Sequence, residues 1–282
     1  SGPCAWYPGV FLAGKLVLPL YSPGSLNSSP ELMVSVDLTD DYRIALLNQC
    51  QAGIFSPLSG SADGTAFGFG SHDTNYHFCS SNKGKELWQV KTGVSCASRG
   101  RFSSNAIYVA GTDGLYALDP RDGTQRWQNP AAAVAYGTDP IALATNAGLI
   151  FVANGQTLLA LATADGQERW RAALDAPVSA GPVATPDGAC YLATRNAVLA
   201  FGPRGGQPVW QQTRGANATM LLLDANYLVL LDTTGMPLVL QRNTGTPLAA
   251  GQEAYSTLAA TTSSGTWTGI TTTGQPQMLR IK

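Results

Sequence analysis

Both histidines of the chain lie in one short stretch, Gly70–Cys79, and they are the residues best suited to metal or acid–base chemistry. The stretch predicts a hairpin whose turn sets His72 and His77 face to face. By strand direction, the connections that carry Cys50 and Cys96 reach the same end of the sheet. Zinc prefers imidazole and thiolate ligands, so these four residues are a candidate tetrahedral zinc site. The interpretation we favour is an exposed polar hairpin with unrelated cysteines.

Nucleophilic and phosphate-binding chemistry find little support in the sequence. A Ser-His-Asp triad would have to use His72 or His77, and no Gly-x-Ser-x-Gly elbow occurs. The glycine pair at Gly68 and Gly70 lies inside a strand pattern and lacks the following helix that a phosphate loop needs. We therefore predict no catalytic residues and no enzymatic activity.

Composition and charge exclude several classes of partner. Basic and acidic residues nearly balance, 17 against 18, without a basic run that would bind phosphate backbones, so nucleic acid is not expected. No apolar stretch is long enough to span a bilayer, so direct membrane insertion is not expected. The five cysteines contain no Cys-x-x-Cys pair. Spacing favours a disulfide between Cys50 and Cys96, and Cys190, in an apolar strand, is predicted to be a buried free thiol.

A repeated Gly-x-x-x-Trp motif organises the rest of the chain. The spacings between its glycines are 39, 43 and 40 residues, a period typical of propeller blades. One further step reaches Gly245, where alanine replaces the tryptophan, and steps back reach a degenerate copy at Asp41 and a copy at Gly2. Seven registers are thus occupied. The motif glycines are Gly84, Gly123, Gly166 and Gly206, and the tryptophans are Trp6, Trp88, Trp127, Trp170 and Trp210.

Each repeat contains short runs of strand-forming residues separated by tight turns, which predicts antiparallel strands. Such sheets cannot bury both faces alone, so they must pack face to face around an axis. The sequence therefore predicts an all-β fold, a seven-bladed β-propeller of four-stranded antiparallel blades in one domain, residues 1–282. The last unit supplies only three strands, and residues 1–8 are predicted to complete it as a closing strand. The predicted blades are 9–50, 51–93, 94–132, 133–175, 176–214, 215–252 and 253–282.

The fuller repeat at Ala117–Trp127, Ala-Leu-Asp-Pro-Arg-Asp-Gly-Thr-Gln-Arg-Trp, resembles the tryptophan-docking motif of the PQQ-like, quinoprotein-type β-propeller superfamily. The resemblance covers the whole chain at the level of the repeat. It is to the non-catalytic branch, which includes the propeller lipoprotein of the outer-membrane barrel-assembly machine. It implies that each tryptophan docks on the adjacent blade beside a glycine, where no Cβ obstructs the ring. Those relatives usually have eight blades, whereas this chain has room for seven.

The resemblance also bears on function. PQQ-dependent dehydrogenases carry a vicinal Cys-Cys pair, calcium ligands and often a Cys-x-x-Cys-His haem segment, and this chain has none of the cysteine signatures. We expect no cofactor. The leading hypothesis is a non-catalytic scaffold that binds a protein partner and is periplasmic, envelope-associated or secreted, as a monomeric domain or part of a larger chain. The alternatives are a small-ligand sensor domain of a larger membrane protein and a quinone- or metal-dependent enzyme.

The functional surface is expected at the propeller end formed by the connections between blades and the hairpins between second and third strands. Loops on a rigid scaffold usually carry specificity. Arginine and tyrosine are enriched where interfaces concentrate binding energy. The candidate partner-binding residues on these loops are Arg99, Arg101, Tyr136 and Arg214.

Deleting residues 1–8 tests the predicted closure. The deletion would remove the fourth strand of the last blade and expose an unpaired edge, so we expect aggregation or a large loss of thermal stability. Thermal denaturation followed by circular dichroism is the measurement. A truncated protein that melts like the full-length one would contradict the closure.

Overall fold

The protein is all-β, and its computed structural model confirms the predicted β-propeller of seven antiparallel blades. The structure describes residues 9–20, 31–50, 54, 56–92, 99–134, 141–214, 217–248, 253–260 and 264–280. Across these ranges no α-helix occurs, and one short 3₁₀ helix spans Pro130–Ala132. None of the described residues form a helix with the length and apolar character needed to cross a membrane.

The first three blades lie in one compact unit, Ser1–Asp139. Each is a four-stranded meander in which consecutive strands pair. Their strands are β1 (Val10–Leu12), β2 (Lys15–Leu20), β3 (Glu31–Asp37) and β4 (Ile44–Cys50) in blade one, β5 (Ser59–Gly60), β6 (Ala66–Gly70), β7 (Asn75–Ser80) and β8 (Glu86–Lys91) in blade two, and β9 (Arg101–Phe102), β10 (Ile107–Gly111), β11 (Gly114–Leu118) and β12 (Gln125–Asn129) in blade three.

The remaining blades lie in a second compact unit, Pro140–Lys282. Their strands are β13 (Ile141–Ala144), β14 (Leu149–Asn154), β15 (Thr157–Ala162) and β16 (Glu168–Ala173) in blade four, β17 (Val178–Ala184), β18 (Cys190–Thr194), β19 (Ala197–Phe201) and β20 (Pro208–Thr213) in blade five, β21 (Ala218–Leu223), β22 (Tyr227–Asp232), β23 (Pro237–Gln241) and β24 (Pro247–Leu248) in blade six, and β25 (Tyr255–Ala260), β26 (Thr266–Thr271) and β27 (Pro276–Arg280) in blade seven.

Blade seven has three strands within the described part of the chain. The predicted closing strand, residues 1–8 with Trp6, lies outside the described residues, so its place in the blade stays a prediction.

The middle strands of blades two to six are largely buried on both faces, whereas β26 and β27 of blade seven are partly exposed. In β14, β15, β18 and β19, nearly every side chain is buried, which explains their continuous apolar sequences. Phe151 and Leu158 of blade four share one core with Leu192 and Leu199 of blade five. Cys190 lies in this core as a buried free thiol, as the apolar strand around it predicts.

Three of the motif tryptophans each donate a hydrogen bond to the next blade in the chain. Trp88 of blade two donates a hydrogen bond from Nε1 to the carbonyl of Pro120 in blade three, at 3.0 Å. Trp170 donates likewise to Pro203 of blade five, and Trp210 donates to Arg242 of blade six, both at 3.0 Å. In each of these blades the indole therefore binds the turn between the third and fourth strands of its neighbour.

The motif glycine is required because the indole occupies the space of its Cβ. A Cβ on Gly123 would lie 2.7 Å from Cε3 of Trp88, and one on Gly245 would lie 2.5 Å from Cε3 of Trp210. Both glycines also have positive φ, 75° and 70°, which other residues rarely adopt. Blade one shows the same constraint without a tryptophan, since a Cβ on Gly84 would lie 2.3 Å from the carbonyl oxygen of Leu47.

Replacing Trp88 with alanine should lower the free energy of unfolding by about 3–5 kcal/mol, because the ring is 8% exposed and packs on Phe78 at 4.8 Å. Trp88→Phe should keep most of the buried aromatic area but lose the hydrogen bond to Pro120, at a cost of about 1 kcal/mol. Urea denaturation measures both. The matched control is Leu87→Ala on the same strand, which is 52% exposed and should change stability by less than about 0.5 kcal/mol.

Candidate functional site

The hairpin between β6 and β7 carries both histidines. Four residues, Ser71–Thr74, connect these strands, whereas Thr112 and Asp113 alone connect the equivalent strands of blade three. The hairpin is therefore longer than its counterpart, as the sequence predicts. His72 lies in the exposed turn, and His77 lies on β7 opposite Phe69.

His77 is buried at 7% exposure and has polar partners at both ring nitrogens. Its Nδ1 is 2.6 Å from Oε2 of Glu86 on β8, so this N–H donates to the carboxylate. Its Nε2 is 2.8 Å from Oγ of Ser71 and 3.2 Å from the Asp73 carboxylate. The imidazole also stacks on Phe69, with ring centroids 5.1 Å apart.

The order Ser71, His77, Glu86 has the connectivity of a serine hydrolase triad, in which a hydroxyl bonds Nε2 and a carboxylate bonds Nδ1. The environment does not suit that chemistry. Ser71 is 0% exposed and its Oγ also hydrogen-bonds the Asp73 carboxylate, so no substrate carbonyl can reach the hydroxyl. The arrangement is a buried polar network that holds the hairpin to β8.

Electrostatics in the hairpin follow from this network. Partial burial tends to raise the pKa of the Asp73 carboxyl, but hydrogen bonds from Ser71 and Asn75 and the adjacent His77 outweigh it and lower that pKa. Asp73 is therefore charged at neutral pH. Loss of hydration lowers the pKa of the His72 imidazole, which favours its neutral form.

The candidate zinc ligands are described only in part. The side chain of Cys50 and all of Cys96 lie outside the described residues, and with them the predicted disulfide. Within the described ranges, no three histidine, cysteine or acidic side chains converge as a metal site would require. Because protein groups already bind both nitrogens of His77, a metal there would have to displace Ser71 or Glu86. The four-residue zinc site remains a hypothesis.

The candidate partner-binding arginines lie where the blade connections meet the strands. Arg99 precedes β9, Arg101 begins β9 opposite Tyr108, and Arg214 follows β20. Tyr136 lies outside the described residues. Among the described atoms, Nε of Arg99 and both Nε and Nη1 of Arg214 are buried without a hydrogen-bond partner.

Sequence reasoning identified His77 but missed the residues that bind it. Glu86 lies nine positions away and pairs with Cys79 across the sheet, which brings it to the same face as His77. A signal was present, since alternate residues of one strand face the same side and share cross-strand neighbours. Using that signal requires the strand register, which shifts at a bulge between Phe78 and Cys79.

Replacing His77 with alanine should lower the free energy of unfolding by about 1–3 kcal/mol in metal-free buffer, because two hydrogen bonds and the stacking on Phe69 are lost. The measurement is urea denaturation in the presence of EDTA. His72→Ala is the control, since this exposed turn residue should be neutral. A His77 variant with unchanged stability in EDTA but lower stability with added Zn²⁺ would instead support a metal ligand.

Comparison with solved structures identifies proteins that share this fold. No curated protein matches the chain. Among solved structures it is similar to the computationally designed Ika8 protein, with a TM-score of 0.76 and 16% identity over 98% of this chain and 84% of that one. It is also similar to BamB from Moraxella catarrhalis, with a TM-score of 0.54 and 15% identity over 98% of this chain and 96% of that one. At these identities the likeness shows the fold alone.

A family model covers most of the sequence. The model described as outer membrane protein assembly factor BamB matches residues 77–279, from β7 of blade two to β27 of blade seven. The match spans four of the five tryptophan motifs and confirms the resemblance to the PQQ-like repeat. The chain therefore belongs to the PQQ-like β-propeller family described as outer membrane protein assembly factor BamB.

Proposed function

We propose that this protein is a non-catalytic, protein-binding scaffold of the cell envelope. The observation that carries the proposal is the match of residues 77–279 to a family whose description is that of an assembly factor. An assembly factor acts by holding other proteins, which requires a rigid body with exposed loops. Within the described residues, continuous buried strands and docked tryptophans stiffen the blades. Loops on such a scaffold usually carry specificity.

The most reactive side chains support a scaffold rather than an enzyme. The His77 imidazole is occupied at both nitrogens, and the Ser71 hydroxyl beside it is buried. Burial also raises the pKa of the Cys190 thiol far above its usual range, so the nucleophilic thiolate is suppressed. These groups are placed for packing and hydrogen bonding, not for reaction with a ligand.

A periplasmic or envelope location fits both the family and the cysteine chemistry. Oxidising compartments convert accessible thiols to disulfides. Cys190 is 0% exposed and its thiolate is disfavoured, so it would persist as a free thiol in such a compartment.

We place the partner-binding surface on the blade connections, at Arg99, Arg101, Tyr136 and Arg214. Arginine side chains at an interface gain charge-assisted hydrogen bonds to a partner's carboxylates, while tyrosine adds apolar area with little loss of conformational entropy. Arg99 precedes β9 and Arg214 follows β20, so both side chains start from the connections between blades.

Replacing Arg99, Arg101, Tyr136 and Arg214 with alanine in one variant should abolish capture of the partner without loss of the fold. Capture is measured by affinity purification from a detergent-solubilised envelope fraction with quantitative mass spectrometry, alongside thermal melting. The matched control replaces Lys83, Lys85 and Arg204, which are exposed on the turns between third and fourth strands, at the opposite ends of their blades. If the control variant loses the captured protein and the first variant keeps it, the partner binds the other end.

A further inference from the structure

The hairpin between β14 and β15 contains Asn154 followed by Gly155, the only Asn-Gly pair in the sequence. Asn154 ends β14 and pairs with Thr157 at the start of β15, so Gly155 and Gln156 form a two-residue turn. The φ of Gly155 is 57°, which glycine adopts readily at a central position of a tight hairpin turn.

The surroundings of this pair leave room for a reaction between the two residues. Asn154 and Gly155 are both exposed. Apart from its chain neighbours, no atom lies within 4 Å of the position that a Cβ on Gly155 would occupy. The side-chain amide carbon of an asparagine can be attacked by the backbone nitrogen of the next residue, and a side chain on that residue hinders the attack. Glycine has no side chain, so residue type and space both favour the attack at Asn154.

The same turn holds the connection between blades four and five. The backbone N–H of Leu174, which follows β16, donates to the carbonyl of Gln156 at 2.8 Å. The backbone N–H of Val178, the first residue of β17, donates to the carbonyl of Gly155 at 3.2 Å. A change in backbone length at Asn154 would therefore move both acceptor carbonyls. This end of the blades carries the partner-binding surface in the function proposed above, but the modification itself does not depend on that function.

We propose that Asn154 is a site of spontaneous deamidation, and that the isoaspartate formed there releases the connection between blades four and five. The backbone nitrogen of Gly155 attacks Cγ of Asn154 and forms an N–Cγ bond. The Cγ–Nδ2 bond breaks, and ammonia leaves with the proton from the Gly155 nitrogen. Water then opens the succinimide at either carbonyl. One opening gives aspartate, and the other gives isoaspartate, in which the main chain runs through Cβ and is longer.

The first test follows deamidation in the folded protein at mildly alkaline pH. Peptide mapping by mass spectrometry measures the loss of ammonia at each asparagine over time, and labelling by an isoaspartyl methyltransferase identifies isoaspartate. Asn226 is the matched internal control, because it also lies in an exposed turn but precedes Tyr227 and donates from Nδ2 to Ser264 at 3.3 Å. We expect deamidation at Asn154 to be several-fold faster than at Asn226, and Asn154→Gln to remove the signal.

The second test follows the release of the connection by hydrogen–deuterium exchange in ¹H–¹⁵N spectra. In the isoaspartate form, separated by chromatography, the amides of Leu174 and Val178 should lose protection from exchange. Asn154→Asp is the control, because it adds the same charge at normal backbone length and should keep that protection. Deamidation at Asn154 no faster than at Asn226, unchanged protection of both amides in the isoaspartate form, or an equal loss in Asn154→Asp would each overturn the proposal.

Discussion

The fold depends on the contact between the indole of one blade and the glycine-containing turn of the next. A four-stranded sheet with two apolar faces is unstable alone, and its free energy of folding comes largely from burial against its neighbours. The indole adds direction to that burial, because its N–H donates to one carbonyl, as Trp88 does to Pro120 and Trp210 does to Arg242. Only glycine leaves room for the ring at this distance. Packing and hydrogen bonding thus specify the same blade-to-blade geometry.

Two buried or partly buried ionisable groups, His77 and Arg214, differ in whether their polar atoms have hydrogen-bond partners. Around His77, every described polar atom of the imidazole has a partner, and the network of Ser71, Asp73 and Glu86 stabilises one hairpin. In Arg214, Nε and Nη1 are buried without a hydrogen-bond partner, although Asp232 attracts the guanidinium electrostatically. Satisfied networks rigidify a protein, whereas unsatisfied donors lower its stability unless a ligand binds. The contrast is why we assign His77 to structure.

A propeller with the proposed partner-binding residues on its connections would suit the assembly-factor role that we propose. Loops can vary without disturbing the buried strands, because their side chains contribute little to the cores between blades. The match to the family described as outer membrane protein assembly factor BamB supports the propeller architecture directly, and the binding role remains our proposal.

The sequence by itself determined the repeat and the strand-rich blades, because these depend on spacing and residue type within one repeat. Gly123 and Trp127 are recognisable four positions apart, and the apolar strand around Cys190 predicts its burial. Only the tertiary structure showed which groups hydrogen-bond to His77. Only the tertiary structure showed that Nε and Nη1 of Arg214 have no hydrogen-bond partner. Hydrogen-bond partners such as Glu86 depend on strand register, and register shifts at bulges that composition does not reveal. Desolvation of a guanidinium likewise depends on how closely neighbouring chain segments pack, and the residue types alone carry no such distances.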